Sequence, residues 1–225
     1  MPELFYALTL ARKDLLQERR SRAVTVATVF FAALVLFVLA VALGPDRSAL
    51  QEAAPGALWV ALAFVGVIAA AQSFQNELEE DALEQLLIYP VPRSSIFLGK
   101  LLANWLYLAL LGAALLPTTA LLFDLPLGGA TLPLFATVAL GTFGFSLVAT
   151  FYAALTANLR ARESLLPVLM FPVVVPILLA AVRATAEIAR QGELGFSASW
   201  LQLLLGFDLV YLVTCTALFH VVLEG

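Results

Sequence analysis

Six stretches of about 20 residues, each with at most one charged side chain, make up most of the chain, and each is long enough to cross a bilayer core of about 30 Å. They run over residues 23–43, 55–74, 101–123, 134–158, 165–182 and 200–223. Apolar core helices of a water-soluble protein are the competing reading. That reading fails on composition, because 62% of the residues are apolar and 12% charged, whereas a soluble domain is about half apolar and about a quarter charged. Too few residues remain for a polar shell. The expected fold is therefore all-α and integral to a membrane, a single transmembrane domain over residues 1–225.

Basic residues are retained on the cytoplasmic side of a membrane protein, so alternate loops reveal orientation. Arg12, Lys13, Arg19, Arg20, Arg22, Arg93, Lys100, Arg160 and Arg162 fall on one side; Arg47, Arg183 and Arg190 fall on the other. Six spans then place both termini in the cytoplasm. The run ending at Ala40-Val41-Ala42 has the small residues of a signal-peptidase site, but its apolar part and the polar stretch before it are too long. An uncleaved first helix is expected.

Ahead of the first span, Leu4, Leu8, Ala11 and Leu15 recur at helical spacing, flanked by Phe5 and Leu16, with Lys13, Asp14, Gln17 and Arg20 opposite. This pattern predicts a helix lying in the membrane interface; a basic retention signal alone accounts for the same residues.

The segment 77–93 between the second and third spans departs from the basic character of its side. It carries Glu77, Glu79, Glu80, Asp81 and Glu84. Acidic side chains at a helix start are favoured by the helix dipole, so Glu77 to Ile88 reads as a short helix, ended by Pro90 and Pro92 before Arg93 leads back to the membrane. Between spans five and six, Arg183 and Glu187 at helical spacing predict a short external helix or re-entrant turn. Pro167, Pro172 and Pro176 predict a kinked or partly unwound fifth span.

Enzyme signatures are missing: the sequence has no HExxH and no GxSxG, and Gly99-Lys100 lacks the remaining residues of a P-loop. ATP hydrolysis by this chain is not expected. The single cysteine, Cys215, excludes an internal disulfide, a CxxCH heme attachment site and a cysteine metal cluster. No metal site and no nucleic-acid surface are expected. Asp208 is the one acid well inside a span, about 12 Å from its external end. It reads as a residue of a hydrated pathway or dimer surface, or else as a polar clamp to another helix or an outer-leaflet residue. His220, near the cytoplasmic end of the last span, reads as an interfacial histidine. Trp59, Trp105 and Trp200 read as belt residues. Ala109, Gly112, Ala113, Gly141, Gly144 and Ser146 read as small packing residues that let helices approach.

An interfacial N-terminal helix, six spans, a helical cytoplasmic segment and an external hairpin together resemble an ABC-2-type exporter permease. Within that class, Glu80-Asp81-Ala82-Leu83-Glu84-Gln85-Leu86-Leu87-Ile88-Tyr89-Pro90-Val91-Pro92, then Gly99-Lys100-Leu101 and Trp105, resemble the CcmB family. Lys13-Asp14-Leu15 and Ala54-Pro55-Gly56-Ala57-Leu58-Trp59 extend the likeness over essentially the whole chain. Asp81-Ala82 departs from it, standing where a glycine is expected.

The resemblance implies the permease subunit of the heme exporter of cytochrome c maturation, in a bacterial inner membrane. It implies a separate ABC ATPase resembling CcmA that binds the ATP, with CcmC-like and CcmD-like membrane proteins and a CcmE-like heme chaperone as further partners. Heme is the implied transported or handled ligand, and two permease copies per complex are implied. The tryptophan-rich WGxWWxWD-type heme motif of that system belongs to CcmC and is absent here. On this reading Glu77, Glu79, Glu80, Asp81, Leu83, Glu84, Gln85, Pro90, Pro92 and Arg93 couple the permease to the ATPase. A permease for a drug, lipid or glycan would share the topology. A proton-driven carrier using Asp208 would show more intramembrane polar groups and a repeated half.

Overall fold

A computed structural model of the chain describes residues 2–21, 23–79, 93–126, 131–156, 162–191 and 197–222. Among these residues there are helices α1 (Pro2–Ser21), α2 (Ala23–Leu43), α3 (Arg47–Glu79), α4 (Arg93–Leu122), α5 (Thr131–Thr156), α6 (Arg162–Gln191) and α7 (Ser197–Val222). The six helices after α1 are long and apolar enough to cross a membrane.

Several helices outrun the apolar stretches that announce them. Helix α3 starts at Arg47 rather than Pro55 because Asp46 caps it: Asp46 Oδ1 accepts from the Ser48 amide at 3.0 Å and the Ser48 hydroxyl at 2.7 Å. Those two bonds, hydroxyl first, hold the Asp46 carboxyl below its ordinary pKa. Pro55 is consequently an interior helix residue, and buried. Helix α6 likewise continues to Gln191, so residues 183–191 form neither a separate external helix nor a re-entrant turn. Ala184, Thr185 and Ile188 are fully buried in this stretch, and that packing carries the helix past its charged residues. The helix also passes through Pro167, Pro172 and Pro176 without interruption.

The centre of the bundle is α5, which packs on α3, α4, α6 and α7. From Gly141 to Thr150 nearly all of its residues are buried, whichever way they point. Helices α2 and α7 lie at the perimeter and expose Phe30, Phe37, Val210 and Val213. Such apolar exposure suits lipid, where water would make it costly. Helix α1 packs chiefly on α4 through Ala7 and Ala11, leaving Phe5, Leu8 and Leu16 outward. An amphipathic helix with its large apolar side chains directed away from the bundle fits the interfacial placement.

Two left-handed residues shape the turns that follow α2 and α4. Gly44 (φ 73) ends α2, and Asp124 (φ 53) follows α4, where the Leu125 amide reaches back to Ala120 O at 3.0 Å. Asp124 also pairs with Arg47, and its carbonyl accepts from Gln51 Nε2 at 2.7 Å, tying this turn to the start of α3. The ion pair is exposed, so Arg47→Ala should lower stability by less than about 1 kcal/mol. Asp124→Val forces a β-branched residue into the left-handed region and should cost about 1–2 kcal/mol. Thermal unfolding of both variants in detergent checks the order; equal losses would place the energy in the ion pair instead.

Candidate functional site

Of the residues of segment 77–93 singled out in the sequence, Glu80, Asp81, Leu83, Glu84, Gln85, Pro90 and Pro92 lie outside the described residues. Glu77 and Glu79 fall in the last turn of α3, and Arg93 opens α4. The expected helix start at Glu77 is therefore the continuation of α3. Among the described residues, α3 ends at Glu79 and α4 begins at Arg93.

The roots of these two helices are joined by a group that charge counting left undistinguished. Lys100 on α4 is 2% exposed. Its Nζ donates to Ser73 O on α3 at 2.8 Å and lies 3.4 Å from both Ser73 Oγ and Asp14 Oδ2, the latter on α1. A buried ammonium needs an acceptor set of this kind, because burying the charge unpaired is costly. Beside it, Gly99 lets α1 lie directly on α4: a Cβ there would stand 2.8 Å from Leu10 Cβ and 2.9 Å from Ala7 O.

Deeper in the bundle, polar side chains pair between helices. Trp59 Nε1 donates to Thr185 Oγ1 at 3.0 Å, joining α3 to α6, and Asn104 Nδ2 donates to Thr150 Oγ1 at 3.0 Å, joining α4 to α5. Trp59 is 2% exposed and so is no belt residue. Trp105 is half-buried and donates to Ala139 O at 2.9 Å, another interhelical bond. Trp200, at the start of α7, is half-buried. The His220 side chain lies outside the described ones. The small residues act as the pattern implies: a Cβ on Gly141 would meet the Trp59 ring at 2.3 Å, and one on Gly112 would meet Val138 at 2.6 Å.

Asp208 sits near the middle of α7, opposite Gly144 near the middle of α5 and beside Ile177 near the middle of α6. It is 3% exposed, and neither carboxylate oxygen has a hydrogen-bond partner among the described residues. A Cβ on Gly144 would stand 2.1 Å from Asp208 Oδ1. The carboxylate therefore rests on the backbone of α5 itself.

Residues 5–223 match the family described as CcmB protein. Heme exporter protein B of Pseudomonas aeruginosa is 33% identical over 175 residues, 77% of each chain. Its counterpart in Haemophilus influenzae is 30% identical over 172 residues, covering 76% of this chain and 77% of that one. The Paracoccus denitrificans protein of the same name is 35% identical over 152 residues, 68% of this chain and 67% of the relative. With a match running almost end to end and relatives this similar over most of both chains, the protein belongs to the CcmB family.

Proposed function

We propose that this chain is the transmembrane permease subunit of an ABC exporter that serves cytochrome c maturation, moving heme or driving the release of a heme-loaded chaperone. The observation that carries the reading is the family match over residues 5–223, joined by relatives named heme exporter protein B. Six helices able to cross a membrane support a multi-pass permease. The distribution of basic residues supports cytoplasmic termini in a bacterial inner membrane.

On this reading the chain hydrolyses nothing itself. A separate ABC ATPase resembling CcmA binds ATP, and closure of its two subunits moves a pair of permeases. Residues 77–93 are the docking segment on this reading, with Glu77, Glu79, Glu80, Asp81, Leu83, Glu84, Gln85, Pro90, Pro92 and Arg93 coupling the permease to the ATPase. CcmC-like, CcmD-like and CcmE-like proteins complete the assembly and handle heme.

Affinity purification in mild detergent, with partner identification and an ATPase assay, tests the assignment. Recovery of an ABC ATPase with a tryptophan-rich heme-handling protein supports it. An ATPase without heme-handling partners leaves an exporter of some other cargo, and recovery of neither sinks the transporter reading. Reversing charge at Glu80 and Glu84 together (Glu80→Lys, Glu84→Lys) should lower ATPase recovery at least tenfold, because like charges meeting across an interface cost several kcal/mol. Undiminished recovery and ATPase stimulation would remove the docking role from these residues.

A further inference from the structure

Lys100 occupies a mechanically particular place. Ser73 is six residues from the end of α3 at Glu79, and Lys100 is seven residues from the start of α4 at Arg93. Both lie about 10 Å along their helices from the cytoplasmic segment. One ammonium therefore binds the outgoing helix, the returning helix and, through Asp14, the interfacial helix α1. Asp14 is held a second time by Lys13 Nζ at 3.3 Å. At Gly99 helix α4 contributes no side chain to the contact, and Leu10 Cβ and Ala7 O of α1 stand where a Cβ would be.

We infer that Lys100 is a positioning residue that locks α1 and the roots of α3 and α4 into one rigid body, so that α1 is carried with the cytoplasmic segment whenever that segment moves. The inference rests on the permease reading above for the source of the motion; the lock itself stands on the geometry alone. Two features make α1 a working part of this body. Its small residues Ala7 and Ala11 face α4, and its large residues Phe5, Leu8 and Leu16 face outward. A push on the segment then sweeps an apolar face through the headgroup region of the bilayer. With the lock removed, the same push bends the helix roots and is dissipated there.

The test uses the full chain in nanodiscs with its ATPase and the CcmC-like, CcmD-like and CcmE-like partners, in a Cys215→Ala background. Spin labels go at Thr9→Cys on α1, Leu110→Cys on α4 and Leu132→Cys on α5, all outward-facing positions. In the native background the 9–110 distance distribution should be narrow and the same with and without ATP, while the 9–132 distance shifts with ATP. Lys100→Met keeps the aliphatic stem and removes the ammonium. It should at least double the width of the 9–110 distribution and lower chaperone release per ATP hydrolysed at least tenfold, with ATPase recovery retained. Asp14→Asn, which keeps shape and leaves the Ser73 bond, should give a smaller widening.

A 9–110 distance that changes with ATP in the native background would overturn the rigid body. So would native width and native output per ATP in both Lys100→Met and Asp14→Asn. If the native chain recovers no ATPase, the permease reading and the sweep both fall. The nucleotide-free width of 9–110 in native protein and variants then decides the lock separately.

Discussion

Trp59→Ala is expected to cost about 3–5 kcal/mol, because it empties the centre of a packed junction between three helices. The indole is 2% exposed and its Nε1 donates to Thr185 on α6 at 3.0 Å. Its far edge fills the space where a Cβ on Gly141 of α5 would stand. Alanine removes the ring and the interhelical hydrogen bond together. Trp59→Phe keeps most of the packing and should cost about 1–3 kcal/mol, the sum of a partial cavity and one lost hydrogen bond. The remaining Thr185 hydroxyl keeps its bond to Ala181 O at 2.8 Å, so the phenylalanine variant strands no donor on α6. Unfolding in a denaturing detergent series, followed by far-UV circular dichroism, measures both. A Trp59→Ala loss below about 1 kcal/mol would mean that the ring is a lipid-facing belt residue after all, where exchange against lipid costs little.

That belt assignment shows what the sequence conveys and what it conceals. The six spans were legible because length and lack of charge are local properties that the bilayer enforces directly. Helix starts were less legible. With Pro55 taken as the opening of the second span, Trp59 is its fifth residue, about 6 Å along; with the true start at Arg47 it is the thirteenth residue, about 18 Å along the helix axis. The signal that would have moved the boundary was present in Asp46 and Ser48, a capping pair ahead of a polar first turn.

Lys100 was hidden for another reason. Counting basic residues by loop treats each as hydrated, yet burial depends on which helix crosses beside it. Gly99 and Asp14 were visible in the sequence, but nothing local joins residues 86 positions apart. Asp208 was legible as an anomaly, since an acid inside an apolar span stands out in any reading. Its confrontation with Gly144 was not, because Gly144 reads equally well as one of the two packing glycines in the fourth span. The fold was thus carried by one-dimensional rules, and the pairings between helices were not.

The Asp208–Gly144 contact makes the second large prediction. An ionised carboxylate at the centre of a spanning helix costs about 2.5–3.5 kcal/mol on insertion scales, and here neither oxygen has a hydrogen-bond partner among the described residues to offset it. Asp208→Ala should therefore leave stability unchanged or raise it by about 1–3 kcal/mol, because the unsatisfied group is removed and only a small void remains. Gly144→Ala should do the opposite. Its new Cβ falls 2.1 Å from Oδ1 and 3.1 Å from Ile177 Cδ1, the second being a flexible side-chain end that can give way. Separating α5 from α7 to relieve the first clash should cost about 1–3 kcal/mol.

The two changes should also be strongly non-additive. With alanine at 208 the obstructing oxygen is gone, and Gly144→Ala should then cost less than about 0.5 kcal/mol. Asp208→Asn, which keeps the shape, should leave the Gly144→Ala penalty in place. Additive losses in this cycle would show that the helices do not meet at these residues. A loss above about 1 kcal/mol for Asp208→Ala alone would show that the carboxylate is paired in the membrane and acts as a clamp. If stability rises while chaperone release per ATP falls, the unpaired acid is kept at a cost to the packed bundle for what it does when α7 and α5 part, the usual sign of a functional group rather than a structural one.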